Sequence, residues 1–169
     1  MNNWLDDTLA RVAERMFASM ASMIPLPKEL VWRTEIASPV SVSVGFDGPL
    51  SGTLVLTVQA EMLPALARNL LGLDDDPTLE EQLDALKELG HVICGNLLPL
   101  LAGPKAVFRV HAPKLLDEGS APGAVGSPAF TAKTRIVLDE GEAELTLYAN
   151  DPLIELAAPE LADAPAGAA

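Results

Sequence analysis

Residues 78–102 read TLEEQLDALKELGHVICGNLLPLLA, and their periodicity predicts the longest helix of the chain. At 3.6 residues per turn, Leu79, Leu83, Leu86, Ile93, Leu97 and Leu101 fall within roughly 80° of arc, a stripe suited to facing a core. Glu81, Asp84, Glu88, His91 and Gly95 share another arc of roughly 80° on the other side. One face is therefore acidic, with a histidine at its centre.

The start of this helix is well marked. Asp76 or Thr78 is placed to cap it, Pro77 suits a first turn, and Glu80 and Glu81 complement the positive end of the helix dipole. Pro99 removes one backbone donor and crowds the carbonyl of Gly95, so a kink is expected in the last turn, and Gly103-Pro104 ends the run. Gly90 and Gly95 each cost the helix about 1 kcal/mol relative to alanine, which predicts close packing at both.

Outward from the helix, residues 61–71 form a second helical pattern with Leu63, Leu66, Leu70 and Leu71 apolar and Gly72 as its stop. Before it, Val40, Val42, Val44 and Phe46 alternate with small residues, Asp47-Gly48-Pro49 makes a turn, and residues 50–58 alternate again. That is an antiparallel hairpin. Residues 30–36 read as a short strand ahead of it, and Leu5, Leu9, Val12, Met16, Met20 and Met23 mark a first amphipathic helix. After the long helix, residues 106–110 are a strand candidate, 116–128 a mobile Gly- and Pro-rich excursion, and 130–138 with 143–149 a closing hairpin.

The order is thus α-βββ-αα-βββ, an α+β domain with an antiparallel sheet packed against long helices. It is expected to occupy residues 1–151, with 152–169, ending ELADAPAGAA, as a loosely held tail. Strands left over at the sheet edges would suit a dimer.

Composition narrows the function. Eleven Lys and Arg against 24 Asp and Glu give a net charge of −13, which argues against nucleic acid and anionic membranes as partners. Asp6 and Asp7 stand where a signal peptide would be basic, and no apolar run reaches a membrane-spanning length, so a soluble cytoplasmic protein is expected. Cys94 is the only cysteine and sits at a core-like position. Asp74, Asp75 and Asp76 read as a solvated capping loop. Glu88-x-x-His91 has the spacing of a helical di-iron ligand pair, but a second such pair is absent from the sequence and His111 is the only other histidine. No resident metal is expected.

This element order, with FDGPLSGTLVLTVQAEMLPALARNLLG over residues 46–72 and ELGHVICGN over 88–96, resembles the CheX-like branch of the CheC/CheX/FliY chemotaxis phosphatases across about residues 4 to 150. The resemblance implies binding of a phosphorylated CheY-type response regulator and hydrolysis of its aspartyl phosphate, through a glutamate that holds a lysine of the regulator and an asparagine that orients water. Glu88 matches the glutamate, and His91 stands in the place of the asparagine. Glu81, Asp84 and Glu88 become the docking residues and Glu88 with His91 the catalytic pair. The Mg ion would come from the regulator, leaving no cofactor of the chain's own, and the family likeness implies a homodimer.

The substitution leaves two readings. Imidazole orients water or acts as a base, which gives a phosphatase. Its reach and donor pattern differ from those of an amide, which gives a non-catalytic binding or adaptor member of the same fold. Asn96 lies about 80° around the helix from Glu88, toward the apolar edge, and is expected to make a structural hydrogen bond instead.

Overall fold

A computed structural model of the chain describes residues 3–31, 35–118 and 130–151. Helix α1 (Asn3–Ala21) leads into strand β1 (Pro25–Leu26), then β2 (Pro39–Asp47), β3 (Gly52–Gln59), α2 (Leu63–Leu71) and the long α3 (Leu79–Ala102). Strands β4 (Arg109–Val110), β5 (Lys114–Leu115), β6 (Phe130–Leu138) and β7 (Gly141–Ala149) complete the described residues. All described strands belong to one antiparallel sheet in the order β1-β6-β7-β3-β2, with β4 and β5 both on the free side of β2.

The α+β class and the antiparallel sheet are as the sequence predicts. Two hairpins, β2–β3 and β6–β7, meet along the β3–β7 pair at the middle. In this register Val42 faces Leu56, Val44 faces Leu54, and these continue across to Leu145 and Leu147. The two rows form an apolar surface, and the three helices bury it with Leu5, Leu9, Phe17, Leu66, Leu86, Leu89 and Ile93. Each such side chain contributes about 1.5–3 kcal/mol when fully buried. The opposite face carries polar pairs: Ser41 with Thr57 at 2.7 Å, and Glu144 bridged to Lys133 at 2.9 Å and Arg135 at 2.8 Å.

The sheet edges differ from expectation. No strand forms over the described part of residues 30–36, of which 32–34 lie outside the described residues. The edge strand is Pro25–Leu26, held by Ile24 and Asp139, whose backbone groups bond each other while the Asp139 carboxylate accepts from Ile24 N–H at 2.9 Å. Pro27 has no donor to extend this ladder, and the chain turns away in a 3₁₀ turn, Lys28–Leu30. Beyond α3, the strand expected over 106–110 shrinks to two residues and a further strand, β5, appears, so four strands follow the helix instead of three. Residues 111–113 stand opposite only two residues of β2, and Pro113 has no N–H to donate, so the edge is split by a bulge. The excursion over 116–128 falls mainly outside the described residues, as does the tail 152–169.

Helix α3 begins where the sequence places it, but through a fuller device. Thr78 Oγ1 accepts from Glu81 N–H at 3.2 Å, and Glu81 Oε2 accepts from Thr78 N–H at 2.7 Å, a reciprocal capping box. Pro77 precedes the cap and lies buried; it is not in the first turn. Thr78→Ala is expected to lower stability by about 1 kcal/mol, read as a lower denaturant midpoint at unchanged slope. The core stripe holds except at its N-terminal end, where Leu79 is 66% exposed. Gly90 is closely packed, since an added Cβ would lie 3.1 Å from Val42 Cγ2.

Candidate functional site

Because α3 buries Ala85, Leu86, Leu89, Gly90, Ile93, Cys94, Leu97, Leu98 and Leu101 against the sheet and the other helices, the remaining arc must face outward. Asp84, Glu88 and Gly95 are exposed on it and His91 is half-buried. Glu88 and His91 are three residues apart, so their side chains emerge one turn from each other. Neither makes a hydrogen bond or ion pair with any described residue, and the same holds for Asp84 and for Lys87.

Glu81 differs from its expected companions. One of its carboxylate oxygens is taken by the capping box, so this residue is part of what holds α3 in place. Lys87 is the residue that reading the acidic arc passed over. It precedes His91 by four positions and is therefore one turn away on an adjoining line of the helix, a half-buried cation beside a face of carboxylates. An i, i+4 comparison starting from His91 would have found it.

Gly95 has a different character from Gly90. A Cβ there would meet nothing within 4 Å, and the glycine sits in ordinary helical backbone. Packing does not require it, contrary to the sequence expectation. Its effect is to leave the helix surface low one turn beyond His91.

The remaining candidates resolve as structural. Asn96 Nδ2 donates to the Val92 carbonyl at 2.8 Å. Cys94 is fully buried, and burial pushes its thiol up to about 12, so the nucleophilic thiolate is scarce near neutral pH. Asp76, in the acidic loop, pairs with Arg68 at 3.1 Å. His111 lies just past β4, bonded through its N–H to the Gly45 carbonyl and through Nε2 to Asp47 at 2.5 Å. Among the described residues no three His, Cys, Asp or Glu side chains are grouped to hold a metal. No described helix is long and apolar enough to cross a membrane.

The outward face of α3 is thus a row of uncommitted polar groups on a rigid element. Residues 40–132, more than half of the chain, match the family described as chemotaxis phosphatase CheX. The chain belongs to the CheX family. The matched region runs from β2 through α3 into β6 and includes both Glu88 and His91.

Solved structures agree at the level of fold. The CheX chemotaxis protein of Desulfovibrio desulfuricans superimposes with a TM-score of 0.67 at 18% identity, over 86% of this chain and 99% of that one. CheX from Vibrio vulnificus gives 0.65 at 18% identity, over 86% and 95%. A chain of the CheX-CheY-BeF3-Mg+2 complex from Borrelia burgdorferi gives 0.59 at 21% identity, over 86% and 97%. No curated protein matches the sequence.

Proposed function

We propose that this CheX-family protein docks a phosphorylated CheY-type receiver domain on the outward face of α3 and hydrolyses its aspartyl phosphate. The observation that carries the proposal is the set of unpaired Asp84, Glu88 and His91 side chains on that face, within the stretch that matches the family. Glu88, supported by Asp84, attracts a lysine of the receiver. His91 then sits one turn along the helix, where a water attacking in line with the phosphorus–oxygen bond needs an acceptor or donor to fix it. The fold of the chain in the Borrelia burgdorferi CheX-CheY complex lends support.

The chemistry asks little of the chain itself. The receiver brings its own Mg ion and lysine, so no resident cofactor is needed here, and the protein supplies position. The reaction belongs in the cytoplasm, where the receiver is phosphorylated. The short edge strands β1 and β4/β5 are compatible with assembly into a homodimer that leaves α3 open.

The test is the decay rate of phosphorylated receivers from the same genome, with and without the protein. Acceleration of at least tenfold is expected for one of them, falling to the receiver's own decay rate in His91→Ala. Binding with no acceleration would reduce the protein to an adaptor with the family's fold. No binding to any receiver would remove the docking face altogether.

A further inference from the structure

The outward face of α3 carries, at His91, an imidazole, a nitrogen nucleophile suited to attack at phosphorus. We propose that His91 itself accepts the phosphoryl group, so that this protein is a phosphotransfer partner of the receiver through a phosphohistidine. The proposal rests on the docking reading above and goes beyond water positioning.

Three observations converge on it. His91 is half-buried, with no hydrogen bond or ion pair to a described residue, so an imidazole lone pair is not already engaged within the described fold. Lys87, one turn before it, is likewise unpaired, and is the cation that a transferred phosphoryl group would need on a face otherwise bearing Asp84 and Glu88. Gly95, one turn after it, is a glycine that internal packing does not demand, with no described atom within 4 Å of an added Cβ. A glycine weakens a helix, and here the open surface it leaves lies beside the histidine, where a receiver's phosphorylated loop must come close. Water positioning alone gives no role to the cation at Lys87.

The step balances without any further reactant. Neutral imidazole has its proton on one ring nitrogen and a lone pair on the other, and no proton has to leave before attack. The lone pair forms the N–P bond in line with the departing oxygen, the P–O bond to the receiver aspartate breaks, and its electron pair stays on the aspartate as a free carboxylate. The product is a phosphoimidazole beside Lys87. Water attack on phosphorus then yields orthophosphate and neutral imidazole, or the carboxylate of an unphosphorylated receiver takes the group back.

The experiment uses the full chain and CheY-type receivers from the same genome, charged with radiolabelled acetyl phosphate and freed of the donor. After mixing, the proteins are separated under denaturing alkaline conditions, where an aspartyl phosphate is lost and a phosphohistidine survives. Label is expected on this chain, stable in alkali and discharged in acid, and at background level in His91→Asn. Accelerated receiver dephosphorylation with no label on the chain, even in rapid-quench samples, overturns the transfer and leaves the phosphatase standing. Alkali-stable label that persists in His91→Asn overturns His91 as its site. If the receivers neither bind nor lose phosphate faster, the docking reading fails first and the transfer with it.

Discussion

Gly52→Ala is expected to destabilise the protein by about 3 kcal/mol or more, the largest effect of any single added methyl group in the described fold. Gly52 opens β3, paired on one side with Phe46 and on the other with Ala149. A Cβ at this position would overlap the Tyr148 carbonyl oxygen and lie 2.9 Å from Phe46 Cζ and 3.1 Å from Ala149 Cα. The carbonyl belongs to β7 and cannot withdraw without disturbing the β3–β7 ladder at the centre of the sheet. Phe46 is buried and meets Phe108 edge to face, so its ring has little room either. Overpacking and a disturbed ladder together consume a large share of the roughly 5–15 kcal/mol that holds a domain folded. Gly95→Ala is the control: with open space around it, the same methyl group should stabilise α3 by up to about 1 kcal/mol. Equal midpoints for the two variants in urea would show that the close approach at Gly52 is not a constraint on the fold.

Glu88→Lys should weaken receiver binding by at least about 100-fold while leaving stability within about 0.5 kcal/mol of wild type. The two halves of this expectation come from the same fact. Glu88 is exposed and bonds nothing in the described fold, so the fold does not depend on it. In the proposed complex its carboxylate would face a lysine, and reversal would replace an attraction by a repulsion at an interface that excludes water. Truncating one member of such a pair costs about 2–5 kcal/mol, and reversing it costs more. Titration calorimetry against a receiver held in its phosphorylated form reads the affinity, and thermal melting reads the fold. Affinity unchanged within threefold would move the docking surface off this face of α3.

How far the sequence could be read depended on how local the governing interaction was. The stripe from Leu86 to Leu101 and the acidic arc of Asp84 and Glu88 follow from helical geometry alone, and both are where periodicity puts them. So are the two long hairpins, whose alternation carries its own register. The edge strands were not legible, because a two-residue strand has no period: Pro25–Leu26 and Lys114–Leu115 are strands only by virtue of Leu138 and Ser43 across from them. Leu79 looked like core because helical phase cannot say where a neighbouring element ends. At the site, spacing put Glu88 and His91 on one outward arc and the family resemblance gave them their expected roles, whereas the difference between Gly90 and Gly95 was not legible. One touches Val42 and the other touches nothing, and both are simply glycine in the sequence.

The contact at Gly90 carries a consequence for how the protein meets a partner. With no side chain between them, the helix backbone rests on Val42 and Val44 of β2, two residues from Glu88 and one from His91. The platform under both groups is thus as stiff as the sheet beneath it. On docking, the freedom given up on this side is confined to a few side-chain rotamers, at about 0.5–1.5 kcal/mol each, with no backbone to be set in order. Most of the adjustment at the moment of encounter then falls to the visitor: the host arrives already in its bound shape.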